Sequence, residues 1–171
     1  MSDGAPGSPF WQFSLDFYRR PGVAPACLVL QDECGVDVNL LLLLLWLARA
    51  KRQVSVEEVR AIEASSAAWS RMVVAPLRAV RRTLKQGSSF VAATEPLRID
   101  VKAIELEAER LEQEALYHLA ENSALGRTAP SVQAASCANI KAYEDSAART
   151  FAKNAIDVLL GALGETEGGD A

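Results

Sequence analysis

The chain has 171 residues, of which 50% are apolar and 23% are charged. This is the composition of one ordinary globular domain, and it excludes wholesale disorder and a fibrous repeat. The formal charge of −4 is too small to indicate a nucleic-acid binder or an acidic tail. Three cysteines and one histidine are too few for a disulfide scaffold, and a zinc site would need all four to converge. We therefore expect no metal and no cofactor.

Targeting and membrane signals are not evident. Residues 1–9 lack the basic region and the apolar core of a signal peptide. The longest apolar run, Leu40 to Ala48, covers about 13–14 Å as a helix, whereas a bilayer core is about 30 Å thick. We expect a buried core helix at this run and a cytoplasmic, reduced protein that does not bind membranes.

Helix start and stop signals divide the first fifty residues into three helices. Ser8-Pro9 opens a helix with a dense aromatic face, and Pro21-Gly22 ends it. A second helix is predicted from about Pro25 to Glu33, with Gly35 just beyond its end. Asp37 or Asn39 then caps a leucine-rich third helix.

Two longer helices are predicted next. Ser55 with Glu58 forms a capping box that opens the fourth helix, which Pro76 should kink near Ala75. Thr94-Glu95-Pro96 opens the fifth. Its apolar residues recur with alternating spacings of four and three, which predicts one narrow seam against a partner helix. The seam consists of Leu97, Val101, Ile104, Ala108, Leu111, Ala115 and His118.

The predicted architecture is all-α: a bundle of about five to six helices with a long kinked hairpin. Residues 122–139 contain few large apolar side chains and are interpreted as a linker, within which the last helix could begin near Val132. That linker could detach the C-terminal helix from the bundle. The predicted divisions are a disordered N-terminus (1–9), a helical domain (10–121), the linker (122–139), the C-terminal helix (140–163) and a disordered tail (164–171).

The densest polar cluster lies between the second and third helices. Carboxylates and amides there could bind a polar ligand or a hard cation, because such cations prefer oxygen ligands. The residues are Gln31, Asp32, Asp37 and Asn39. The alternative, which we favour, is that Gly35 ends one helix while Asp37 and Asn39 cap the next.

Charge is distributed unevenly along the two long helices. Residues 49–85 carry nine basic and three acidic side chains, whereas residues 95–121 carry eight acidic and three basic ones. Either the two helices form a hairpin with attracting flanks, which we favour, or the basic face binds an anionic partner such as RNA or the ribosome. The basic residues concerned are Arg71, Arg78, Arg81, Arg82 and Lys85.

No catalytic residue is predicted. Phosphate-binding glycine loops and a Gly-x-Ser-x-Gly elbow are lacking. Cys27 and Cys34 are seven residues apart with no cationic neighbour, which indicates inert buried thiols rather than a redox pair. With a single histidine, His118, the chain cannot build a di-iron helical site.

The first half of the chain resembles a family of uncharacterised proteobacterial proteins, domain of unknown function 2390. The resemblance covers about 110 residues and implies a small bacterial cytosolic protein. It supplies no activity, cofactor or catalytic residue that could be carried over to this chain. The similar stretches are Phe10 to Tyr18, Pro21-Gly22-Val23, Ala26-Cys27-Leu28, Leu30-Gln31-Asp32, Gly35 to Leu41, Trp46, and more loosely Trp69 with Pro76-Leu77-Arg78.

Three function classes remain open. The leading hypothesis is a non-catalytic module for protein interaction or self-association, in which the aromatic N-terminal helix and the last helix are the expected contact elements. The alternative is an enzyme or a small-ligand or cation binder that uses residues 31–39. The third is nucleic-acid or ribosome association through residues 71–85.

Overall fold

The computed structural model describes residues 7–87, 91 and 93–164, and in this part of the chain the predicted all-α fold is confirmed. Most of the expected disorder at residues 1–9 and 164–171 lies outside the described residues; within them Ser8 caps α1, Pro9 begins it and Gly164 ends α8, so these three residues differ from that prediction. In chain order the helices and strands are α1 (Pro9–Tyr18), α2 (Val23–Cys34), α3 (Val38–Arg49), β1 (Arg52–Gln53), α4 (Val56–Trp69), a π-helical turn (Ser70–Val74), α5 (Ala75–Gln86), α6 (Glu95–Asn122), β2 (Arg127–Thr128), α7 (Val132–Ala147) and α8 (Lys153–Gly164). The two short strands pair antiparallel and were not predicted.

The helix boundaries follow the local signals in the sequence. The hydroxyl of Ser8 accepts a hydrogen bond from the Trp11 amide at 3.2 Å and caps α1. Gly35 adopts a left-handed conformation with φ of 62° and ends α2, a conformation that glycine takes without a steric penalty. Asp37 caps α3, and Ser55 with Glu58 forms the predicted capping box of α4. These four predictions are confirmed.

Helix α3 is the centre of the core. Its leucines from Leu40 to Leu45, together with Leu47, are at most 3% exposed. Helices α1, α2, α6 and α7 all contact it, so apolar side chains can point in every direction. The prediction of a buried core helix at this run is confirmed.

Residues 122–139 differ from the predicted linker. They contain β2 and the first half of α7, which packs directly on α3. Small residues such as Ala135 and Ser136 let the two helix backbones approach closely, which is why large apolar side chains are scarce here. Asn139, fully buried, donates to the carbonyls of Leu44 at 2.9 Å and Arg52 at 3.0 Å, and accepts from the Val54 amide at 2.8 Å.

Residues 140–163 do not form the single helix that was predicted. Ala148 has a left-handed φ of 49° and ends α7, after which α8 turns back to contact α2. Phe151 and Leu159 join the same buried cluster as the α3 leucines. Both C-terminal helices therefore belong to the core of the molecule, not to a detached element.

The predicted kink before Pro76 takes the form of the π-helical turn. Proline lacks an amide hydrogen and its ring clashes with the carbonyl four residues earlier, so the regular α ladder cannot pass through it. The π-helical turn widens the helix over Ser70–Val74, and α5 then starts with Pro76 in its first turn. The element so formed, α4 to α5, runs beside α6.

Helix α6 is rotated relative to the predicted seam. Its buried side contains Val101, Glu105, Ala108, Glu112 and Leu116, whereas the seam residues Leu97, Ile104 and Leu111 are exposed. The two buried carboxyl groups bind side chains of neighbouring helices. Glu105 binds Arg78 and Arg81 of α5, and Glu112 accepts a hydrogen bond from Asn39 of α3. The predicted seam is therefore only partly covered within the chain: Val101 and Ala108 are buried, whereas Leu97, Ile104 and Leu111 are not.

Candidate functional site

A cleft of about 600 Å³ opens where α1, α2, α3, α5 and α6 meet. Four of the nine residues singled out from the sequence line it, namely Gln31, Asn39, Arg78 and Arg81. Two of these come from the polar cluster and two from the basic segment, so the fold brings the two predicted groups together. The other lining residues are Trp11, Ser14, Leu15, Tyr18, Arg19, Leu28, Val38, Leu42, Lys102, Glu105, Leu106, Glu109 and Gln113.

Asn39 anchors a buried polar network at the base of the cleft. Its side-chain amide donates to Glu112 Oε2 at 2.7 Å, and its carbonyl oxygen accepts from Gln113 Nε2 at 2.8 Å. Burial, and secondarily the nearby Asp37 carboxylate, raise the pKa of Glu112 to about 7. Near neutral pH this carboxyl is therefore partly protonated.

Three buried oxygens in this region have no hydrogen-bond partner among the described residues. They are Ser14 Oγ, Glu112 Oε1 and Gln113 Oε1. The side chains of Ser14 and Gln113, 4% and 3% exposed, line the cleft. Buried polar groups are almost always paired, so two unpaired ones in the wall of one cleft point to a missing partner inside it.

Arginines of α5 bind carboxylates of α6 along one side of the cleft. Arg78 Nε lies 3.3 Å from Glu105 Oε1, and its Nη2 lies 2.8 Å from Glu109 Oε1. Arg81 pairs with both oxygens of Glu105. The side chain of Glu105 is only 6% exposed, and burial raises the pKa of Glu109. These are the ion pairs that the hairpin interpretation of the charge pattern requires.

The other predicted residues do not line the cleft. Asp32 pairs with Arg82 at 2.7 Å on the surface, and the hydrogen bond from Arg82 lowers the pKa of that carboxyl. Asp37 accepts from the amides of Asn39 and Leu40 as the α3 cap, and from the Ser70 hydroxyl at 2.8 Å. It lines a smaller neighbouring cavity of about 220 Å³ that shares Gln31 and Asn39 with the cleft. Arg71 and Lys85 are exposed.

A second feature is an apolar surface along the hairpin, which we call the hairpin face. Its exposed members are Trp69, Val80, Leu97, Ile104 and Leu111, and Val73, Leu77 and Leu84 are half-buried beside them. Trp69 is held across the hairpin by a 3.0 Å hydrogen bond from Nε1 to the Ala108 carbonyl. A groove of about 480 Å³ continues the face along α4 and α6, with Ser65, Ala115 and Leu119 in its walls.

Sequence reasoning missed Ser14, Glu112 and Gln113. Serine on the apolar side of α1 was a usable signal, because Ser14 lies one helical turn from Phe10 and Phe17, which are fully buried. The thiol of Cys27 is buried, as predicted, and burial raises its pKa to about 12. Cys34 is half-buried and Cys137 is exposed.

Among the described residues no cluster of histidine, cysteine, aspartate or glutamate could hold a metal ion. A search of the same residues found no helix long and apolar enough to cross a membrane.

Fold and site together define a class: an all-α bundle with a polar-based cleft and an exposed apolar hairpin face. The family model described as Protein of unknown function (DUF2390) matches residues 9–116, and the chain belongs to that family. The resemblance noted in the sequence is thereby confirmed over the N-terminal two thirds. No curated protein and no solved structure matches the chain.

Proposed function

We propose that this protein is a non-catalytic interaction module that self-associates through the hairpin face. One observation carries the proposal. Leu97 and Ile104 are each 55% exposed and Leu111 is 44% exposed, at seven-residue intervals on one side of α6. Contiguous apolar surface of this kind marks an interaction site, because leaving it in water costs free energy.

The face is large enough for a stable dimer. From Leu97 to Leu119 a helix rises about 33 Å, and two adjacent helices are about 20 Å wide. The hairpin therefore presents an outline of roughly 650 Å² per copy, and two copies that covered the whole outline would bury about 1,300 Å², at the lower end of the standard range for specific interfaces.

Charge selects how the second copy sits. Three of the four basic side chains of α5 are held by carboxylates of the same chain, which leaves Lys85 without an ion pair among the described residues, whereas α6 carries eight acidic and three basic side chains. A two-fold axis parallel to the helices places α5 of one copy opposite α6 of the other, so unlike charges meet at the rim. An axis perpendicular to the helices would bring α5 against α5, and the like charges would repel. We therefore propose a four-helix arrangement with the first geometry.

The proposed setting is the cytoplasm of a bacterium, as the family resemblance implies. Free cysteines at positions 27, 34 and 137 are consistent with a reducing compartment.

The test is the replacement of Ile104 by glutamate, measured by sedimentation equilibrium at several protein concentrations. The wild-type protein should sediment as a dimer with a melting temperature that rises with protein concentration, and Ile104→Glu should be monomeric with a melting temperature that does not depend on concentration and equals that of the wild type at high dilution.

Ile99→Glu is the matched control. Ile99 is 56% exposed on the same helix but lies about 140° around it from Ile104, so this variant should remain dimeric. A wild-type protein that stays monomeric at every concentration would overturn the proposal, as would equal dimerisation of the two variants.

A further inference from the structure

We propose that the cleft binds a small amphipathic anion that also carries a hydrogen-bond donor. The inference concerns a different surface from the hairpin face and stands independently of self-association. It rests on three properties of the cleft: its polar base, its apolar walls and its cationic rim.

The polar base supplies the site for the donor. Gln113 Nε2 donates a hydrogen bond to Asn39. Gln113 Oε1 has no partner among the described residues and, as an amide oxygen, can only accept a hydrogen bond. Ser14 Oγ can donate or accept, and it is also unpaired within the described residues. A ligand hydroxyl or N–H group that reaches both atoms would satisfy two buried groups at once.

The apolar walls supply the site for the body of the ligand. Trp11 and Leu15 of α1, Leu42 of α3 and Leu106 of α6 line the cleft around that polar base. A volume of about 600 Å³ lies within the ordinary range of small-molecule sites. These walls favour an aromatic or branched apolar skeleton over a fully polar metabolite.

The rim determines the sign of the charge. Four cationic side chains line the cleft, of which Arg78 and Arg81 bind the two lining acids, Glu105 and Glu109. The surplus charge comes from Lys102 and from Arg19, which lies 3.6 Å from the exposed Asp16. Lys102 is exposed and forms no ion pair with the residues that the structure describes. It is therefore available to bind a carboxylate, sulfonate or phosphate group at the mouth.

The experiment uses 4′-hydroxybiphenyl-4-carboxylate, which combines two aromatic rings with a hydroxyl donor at one end and one negative charge at the other. Binding is measured by fluorescence titration and calorimetry on the full chain, in the wild type and in Ile104→Glu, so that the hairpin face is tested separately. We expect one saturable site per chain in both proteins, and no binding of the cationic dye thioflavin T.

Two substitutions test the assigned atoms. Ser14→Ala removes an unpaired hydroxyl, so it should weaken binding about three- to tenfold without lowering the melting temperature. Lys102→Ala should weaken binding by a similar factor and reduce its salt dependence, whereas the control Lys85→Ala, on the hairpin away from the cleft, should bind as the wild type does.

Unsaturable binding, equal binding of the cationic dye, or full affinity in both Ser14→Ala and Lys102→Ala would overturn the proposal. Binding lost only in Ile104→Glu would assign the probe to the hairpin face and would likewise overturn it. None of these outcomes bears on whether the wild-type protein dimerises, because sedimentation measures dimerisation without the probe.

Discussion

Glu112 is an ionisable side chain held in the interior of the bundle, only 4% exposed. Its pKa of about 7 in the folded protein compares with an ordinary value near 4.5. Between these two pH values the folded chain retains a proton that the unfolded chain has lost. The contribution of Glu112 to the free energy of unfolding therefore falls as the pH rises from about 5 to 7.

Glu112→Gln should abolish that pH dependence, because glutamine mimics the protonated carboxyl and does not titrate. We expect the melting temperature of the variant, relative to that of the wild type at the same pH, to increase as the pH rises from about 5 to about 8. Thermal unfolding of both proteins across this range checks the prediction. Parallel curves would contradict it.

Asn139 is the residue with the largest expected effect on stability. Asn139→Ala leaves the Arg52 carbonyl and the Val54 amide of the α3–α4 connection unpaired in the interior and removes the additional hydrogen bond to the Leu44 carbonyl of α3. Each unpaired buried group costs about 1–3 kcal/mol, so we expect a loss of roughly 3 kcal/mol or more. Urea unfolding measures it. As a control, Gln133→Ala, exposed on the same helix, should change the free energy of unfolding by less than about 0.5 kcal/mol.

At the residue scale, part of the candidate site could be predicted from the sequence. Asn39, Arg78 and Arg81 were recognisable because polar and basic side chains cluster locally around them. Glu112 and Gln113 were not, because their burial depends on the rotation of α6, which brings them to Asn39, more than seventy positions away in the chain.

At the scale of elements, helix ends were more predictable than helix faces. Ser8, Gly35, Asp37 and Ser55 act on their own backbone neighbours, so local chemistry is sufficient to place the boundaries. Ile104 and Leu111 obey a regular spacing, yet no helix among the described residues covers them fully. Spacing identifies an apolar side but does not say which chain packs against it.

The status of α7 and α8 can be tested by truncation. The predicted domain 10–121 and the family match both stop before α7, whose Tyr143 lies in the same buried cluster as the α3 leucines. A chain ending at residue 121 would expose that side of α3 to water, so we expect it to be insoluble or to lack a cooperative thermal transition. A cooperative transition near that of the full chain would support the predicted domain boundary instead.

At the scale of the whole molecule, the uneven charge is largely used internally. Arg78 and Arg81 bind Glu105, and Arg82 binds Asp32, so of the predicted basic residues Arg71 and Lys85 remain outside the ion pairs that the described residues form. Nucleic-acid affinity depends on basic side chains that neutralise phosphate charges. Arg71 and Lys85 alone, in a chain with a net charge of −4, neutralise few of them.

We therefore expect no gel shift of a single-stranded or duplex RNA by micromolar protein in low salt. Arg71→Glu combined with Lys85→Glu serves as the comparison and should migrate with RNA as the wild type does. A salt-sensitive shift that this double variant loses would establish the basic segment as an RNA site.

The packing of α3 against α7 has a consequence for synthesis on the ribosome. The Asn139 amide reaches the Leu44 carbonyl across 95 positions of sequence. Translation proceeds at about 5–20 residues per second, so the leucines of α3 emerge roughly 5–20 seconds before the helix that covers them. During that interval the nascent chain presents a nine-residue apolar run to water. A chaperone that binds extended apolar segments should therefore associate with ribosomes stalled at about residue 90 and dissociate once α7 has cleared the exit tunnel.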